Sequence, residues 1–186
     1  MCVGVKKVRE VQMELAGKRI LFFVEDLYED LELWYPKIRL QEAGAEVIVA
    51  APDVNKIYKG KNGYPCKADM AIDQLQAGDF DGLILSGGFA PDRLRRLPKV
   101  KEITRVIFEA GKVVAHICHG GWIAISAGIV KGFTCTSTPG IKDDLENAGA
   151  HWVDKPLVVD RNMISSRRPD DLPLFCPAII QALAKR

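Results

Sequence analysis

The sequence predicts an α/β sandwich around a mostly parallel sheet, and two observations carry that prediction. Short, continuous apolar runs alternate with amphipathic stretches along the chain, the order of successive strand–helix units. The runs also lack the polar alternation of a half-exposed strand, as expected where both faces are covered by helices. Such sheets bind ligands outside the carboxyl ends of their strands.

Residues 1–17 read as an N-terminal extension, possible helix ending at Gly17, and 18–186 as one domain. "KRILFFVED" (18–26) is the first buried strand. "EDLELWYPKIRLQEAG" (29–44) has helical spacing, with Leu31, Trp34, Ile38 and Leu40 able to share a face. Pro36 is expected to kink that helix and Gly44 to cap it. "AEVIVAAP" (45–52) is a second strand, and 57–73 a small hairpin about Asn62-Gly63. "FDGLILSGG" (80–88) is a third strand running into Gly87 and Gly88, followed by an amphipathic helix over 97–112 that Gly111 caps. "VVAHI" (113–117) is the next strand, and "GGWIAISAGIV" the helix after it. "FTCTST" (133–138) reads as a strand, 140–150 as a helix, and 156–167 as a hairpin about Asp160–Asn162. A final helix carries Pro173 and Pro177, which limit where it is regular.

At 186 residues the chain is sized for a single core. Hydrophobic residues are 48% and charged residues 27%, and a net charge of +2 gives no reason to expect nucleic acid as a partner. "PDRLRRLPK" and "SSRRPDD" are short, carry acids, and read as solvated faces. The N-terminal residues lack the apolar core of a signal peptide, and no run approaches the length of a membrane span, so a cytoplasmic protein is expected. The five cysteines are odd in number and show no CxxC spacing, which argues for free thiols rather than a disulfide frame or a zinc site. No metal and no cofactor are expected.

The chemistry concentrates in "KVVAHICHGGWIAISAG" (112–128). Cys118 stands where a strand gives way to a helix, the geometry of a nucleophile elbow with sulfur in place of oxygen. The helix N-terminus favours an anion there, so the thiol is expected to ionise more readily than a free one. A free cysteine can also be simply a small buried hydrophobe. His119 could act as general base beside the thiol, or cap the helix. His116, two residues back on the strand, reads as structural, and His151 as a surface or edge residue. Gly120 and Gly121 permit close approach. The amides of the Gly87-Gly88 turn, with that of His119, could form an oxyanion hole. Glu29 and Glu32 are three apart and fall on one face of a first helical turn, where acids serve the dipole. A buried Glu beside a thiolate would instead keep its proton.

The blocks "EDLELWYP", "GKNGYPCKAD", "LSGGFAPDRLR", "AHICHG", "ISAGIVKGFTCTSTPGIKDDLENAGAHWVD" and "SSRRPDDLP" together resemble the PfpI family of the ThiJ/PfpI superfamily, from about Lys18 to the C-terminus. The resemblance implies a flavodoxin-like three-layer sandwich, similar to class I glutamine amidotransferases. It implies a nucleophile at Cys118 with His119 beside it, a glutamate at Glu32 that hydrogen-bonds the cysteine, and a second acid at Glu29. It further implies a homo-oligomer, a dimer or dimers assembled into a hexamer, in which an acid of a neighbouring subunit orients the histidine. Asp92 matches that acid, although the family usually has Glu there. The chain also has "ICHGG" for "ICHGP", Thr138 for a tyrosine, and Asn62 for a histidine. Amidotransferase activity is excluded: it needs a distant His-x-Glu pair, and His151 is followed by "WV".

Three functions fit. A cysteine hydrolase of intracellular peptidase type, in stress defence, is the first expectation. A cofactor-free glyoxalase or deglycase acting on methylglyoxal-type aldehydes stands nearly level with it. The third is a redox sensor or chaperone without turnover, its thiolate open to oxidation.

Overall fold

The computed structural model describes residues 13–185. The seven-stranded sheet runs β10-β11-β7-β6-β1-β2-β5. Its members are β1 (Arg19–Phe23), β2 (Glu46–Ala51), β5 (Met70–Ala71), β6 (Gly82–Leu85), β7 (Val113–Ile117), β10 (Val158–Asp160) and β11 (Met163–Ser166). Every pairing is parallel except β10 with β11. Strands β6 and β7 are buried at every position, as runs without polar alternation require. Helix α1 (Asp30–Glu42) packs against α6 (Leu172–Ala184), and α3 (Pro98–Glu109) against α4 (Gly121–Ala127). The chain winds from β1 out to β2 and then crosses to β6 on the other side of β1. That reversal opens a crevice at the carboxyl ends of β1 and β6.

The expected hairpin over 57–73 is β3 (Ile57–Lys59) and β4 (Pro65–Lys67), antiparallel about Asn62-Gly63. Its last residues are separate: Met70–Ala71 extends the main sheet beside β2. The short helix α2 (Ala90–Leu94) interrupts what reads as loop before α3. The expected strand 133–138 shrinks to β8 (Thr134–Cys135), which leaves the main sheet and pairs with β9 (His151–Trp152). Between those two strands lies α5 (Lys142–Asn147).

Two expectations for α1 are corrected. Leu31 and Ile38 do not share a buried face with Leu40: they are 56% and 57% exposed. With Trp34 and Tyr64 they line an open apolar groove of about 600 Å³. The buried face instead carries Glu32, Leu33, Pro36 and Leu40. Pro36 leaves the helix continuous. Proline removes the bond to the carbonyl four residues back, here that of Glu32, and the buried Ser86 hydroxyl donates to this oxygen at 2.9 Å instead.

The expected extension at 1–17 is partly core. Residues 1–12 lie outside the described part, but the fully buried Leu15 donates its amide to Ala43 O at 2.8 Å. Among the described residues no helix is long and apolar enough to cross a membrane.

Candidate active site

Three strand ends and one helix supply the site. Strand β7 ends at Ile117, and Cys118 follows in the left-handed region at φ 59°. A 3-10 turn over Cys118–Gly120 leads into α4. An L-residue seldom adopts such a φ, and strain of this kind collects at functional turns. Gly120 is required here: a Cβ on it would collide with Leu85 O.

Cys118 Sγ lies 3.3 Å from His119 Nδ1. The sequence left open whether His119 could reach the thiol, and the tight turn brings it there. Burial and the nearby Lys61 cation hold the His119 pKa below its ordinary value, so at neutral pH the ring is an uncharged base. Trp122 flanks it, ring centroids 5.0 Å apart.

Glu32 is wholly buried at the start of α1. Its Oε2 accepts the Gly87 amide at 2.8 Å, and its Oε1 has no partner of normal hydrogen-bond geometry. Burial, the Gly87 bond acting against it, and the neighbouring Glu29 charge bring its pKa to about 8. Burial thus favours the protonated acid at Glu32. The expectation of an easily ionised thiol is reversed: burial first, then the Glu32 charge, pushes Cys118 up to about 12. The amides of His119 and Gly88 oppose that rise by donating toward the sulfur. Desolvation thus outweighs the turn of helix beneath the thiol, and the two acids titrate as a coupled pair.

Gly87 closes the space between the two groups. A Cβ there would lie 2.6 Å from Glu32 Oε2 and 2.8 Å from Cys118 Cβ. Gly88 has φ 81°, bridges to Tyr28, and could not carry a Cβ without striking Leu27 O. Both glycines are therefore fixed by the site's own crowding.

Glu29 is 5% exposed and ion-paired with Lys61, a residue that sequence reasoning missed. Lys61 sits on the β3–β4 turn, and the buried Asp30 carboxylate places it. Asp30 accepts the Asn62 amide at 2.9 Å, the Asn62 side chain at 3.0 Å and the Tyr64 amide at 3.0 Å. The signal was faint, an acid in "YED" facing a turn some thirty positions later.

Asp92 is expected to act on the His119 of a neighbouring copy. Within this chain it pairs with Arg96 one turn along. His116 is fully buried with neither ring nitrogen partnered, and burial lowers its pKa to about 4. His151 is exposed on β9. Cys66, Cys118, Cys135 and Cys176 are free thiols; Cys2 lies outside the described residues. No group of three or more metal-binding side chains occurs among the described residues.

The model of the DJ-1/PfpI family matches residues 18–182. A relative in Pyrococcus furiosus, "Deglycase PfpI", is 49% identical over 165 residues, spanning 89% of this chain and 99% of its own. A Bacillus subtilis relative, "Putative cysteine protease YraA", is 39% identical over 159 residues, spanning 86% of this chain and 94% of its own. Among solved structures, a two-domain protein of Anabaena variabilis with DJ-1/ThiJ/PfpI-like and ferritin-like domains superposes with a TM-score of 0.88 at 38% identity. That likeness covers 89% of this chain and 48% of the other. A thiol on a strand–helix elbow, a buried carboxyl against it and a match across nearly the whole chain lead to one assignment: this protein belongs to the DJ-1/PfpI family.

Proposed function

We propose that the chain is a cysteine-dependent enzyme of deglycase type acting on small 2-oxoaldehydes or their adducts. One observation carries this reading: the buried, proton-holding Glu32 lies against the half-buried Cys118, whose sulfur is 3.3 Å from an uncharged His119. A carboxylic acid crowded against the thiol suits proton shuttling on a small carbonyl compound.

The steps follow from those protonation states. His119 Nδ1 takes the thiol proton as Sγ bonds to the aldehyde carbon, and the carbonyl electron pair moves to oxygen. The amides of Gly88 and His119 stabilise that oxyanion. Glu32 gives it a proton, forming the hemithioacetal, and is left as a carboxylate able to take the proton from the former aldehyde carbon. That proton returns to the adjacent carbon while the hydroxyl proton moves from the first oxygen to the second, giving a thioester. Water then adds its hydroxyl to the acyl carbon and its proton to Glu32, and the departing thiolate takes back the proton held on His119, releasing a 2-hydroxy acid. The name of the Pyrococcus relative agrees with this chemistry.

Peptidase activity is the second reading, favoured by the name of the Bacillus relative. It would use the same thiol, with Asp92 of a second copy orienting His119 in a homo-oligomer. Purified protein and Cys118→Ser are to be given methylglyoxal and, separately, a fluorogenic peptide panel. Lactate formation that Cys118→Ser abolishes, without peptide cleavage, is the expected result. Cys118-dependent peptide cleavage without lactate would replace it with the peptidase.

A further inference from the structure

A small cavity of about 160 Å³ lies beside the elbow, lined by Thr138, Pro139, Asp154, Arg167 and Arg168. Strand register sets it next to the site: Ser166, just before Arg167, lies opposite Ile117, just before Cys118. The turn that supplies Thr138 and Pro139 continues to Gly140, where a Cβ would stand 3.8 Å from His119 Nε2. The turn is pinned from behind: Trp152 Nε1 donates to Ser137 Oγ at 3.0 Å, and that hydroxyl donates to Thr138 O at 2.8 Å.

The two arginines differ in commitment. Arg167 binds Asp171 through Nε at 2.9 Å and Nη2 at 3.1 Å, and Asp154 through Nη1 at 2.6 Å. Arg168 makes no side-chain hydrogen bond among the described residues. Its neighbour Asp170 stands 3.9 Å away and is 88% exposed, a separation at which solvent leaves little pairing. Its planar fork of donors, matched to a carboxylate, is therefore available, as is the hydroxyl of Thr138. Asp154 on the rim is occupied by Arg167. With Asp170 near, it counts against a dianion such as phosphate and in favour of a single negative charge.

We propose that this cavity is a carboxylate subsite, in which Arg168 and Thr138 hold the carboxylate of a substrate whose reacting carbon lies at Cys118. The proposal rests on the small-carbonyl reading above and adds a charge preference to it: among adducts of one aldehyde, the one whose carrier ends in a free carboxylate is favoured. The volume suits a carboxylate with a few attached carbons and excludes a folded chain.

The test uses a matched pair of adducts, the hemithioacetals of methylglyoxal with N-acetylcysteine and with its methyl ester. The full-length protein is expected to favour the acid in kcat/KM by about tenfold, the worth of one charge-assisted contact. In Arg168→Gln the acid-to-ester ratio should fall toward one, and Arg168→Lys should restore part of it. A ratio unmoved by Arg168→Gln overturns the subsite. A second measurement needs no turnover. Amide resonances of Cys118→Ser are followed by NMR as N-acetylglycine or its methyl ester is added. Saturable shifts at Thr138 and Arg168 with the acid alone are expected, and equal or absent shifts with both overturn the proposal. Acid-specific shifts without turnover of either adduct would retain the subsite and sink the deglycase reading.

Discussion

Cys118 and Glu32 compete for protons, so each should report on the other. Replacing Glu32 by Gln keeps an oxygen for the Gly87 amide and removes the charge that raises the thiol pKa. Glu32→Gln is therefore expected to lower the Cys118 pKa, seen as severalfold faster iodoacetamide alkylation at pH 9, while lactate formation is lost. A thiol that titrates at higher pH in this variant would refute the coupling. Lys61 acts on the other partner. Its cation holds the His119 pKa down, so Lys61→Met should let that pKa rise. The acidic limb of kcat/KM then moves to higher pH, because more alkaline solution is needed to strip the ring of its proton. A limb left in place would show that Lys61 has no electrostatic hold on the base.

At the scale of elements, α1 connects sequence order to site geometry. Pro36 orphans the Glu32 carbonyl and Ser86 rescues it, tying the helix to the end of β6 one residue before Gly87. Ser86→Ala should cost about 1–3 kcal/mol, the penalty of a buried carbonyl without a partner. In a Pro36→Ala background the helix supplies its own amide, and the cost should shrink; a double-mutant cycle in urea reads the difference. Asp30→Ala should free the 60–64 turn that three hydrogen bonds hold, seen as faster amide exchange at Asn62 and Tyr64. The strands β1, β2, β6 and β7 were legible because buried parallel strands are uninterrupted apolar runs, and the elbow because Cys118 directly follows one. The two glycines were legible as a turn directly after an apolar run, and the contact of Glu32 with the cysteine through resemblance. Lys61 was not, because its place depends on a tertiary contact between a turn and Asp30 that no local pattern encodes. The reversal of the thiol pKa was hidden for a similar reason: a sequence displays the helix after Cys118 but not how deeply the sulfur is buried. Leu31 and Ile38 misled because helical spacing ranks apolar residues by angle alone, and the polar Glu32 claimed the inward position.

For the molecule as a whole, His116 links the core to acid stability. Its pKa is about 4 folded against an ordinary 6.5, so the unfolded chain binds more protons between those values. Its stability contribution is whole above about pH 6.5 and falls away as pH drops toward 4, by up to about 3 kcal/mol. Glu32, raised to about 8, trends the opposite way over part of that range, so the comparison must be between proteins. His116→Gln should lose less stability than the wild type when urea midpoints at pH 7 and pH 4 are compared, and an equal loss in both would remove His116 from the account. The sheet has a further consequence at its borders. It terminates in β5, two residues long, on one side and in β10, three residues long and antiparallel, on the other. Neither offers a template on which a foreign strand could pair at length. Among the described residues, a crowded solution of the folded protein is guarded against edge-to-edge fibre growth from this sheet by the brevity of its outermost strands.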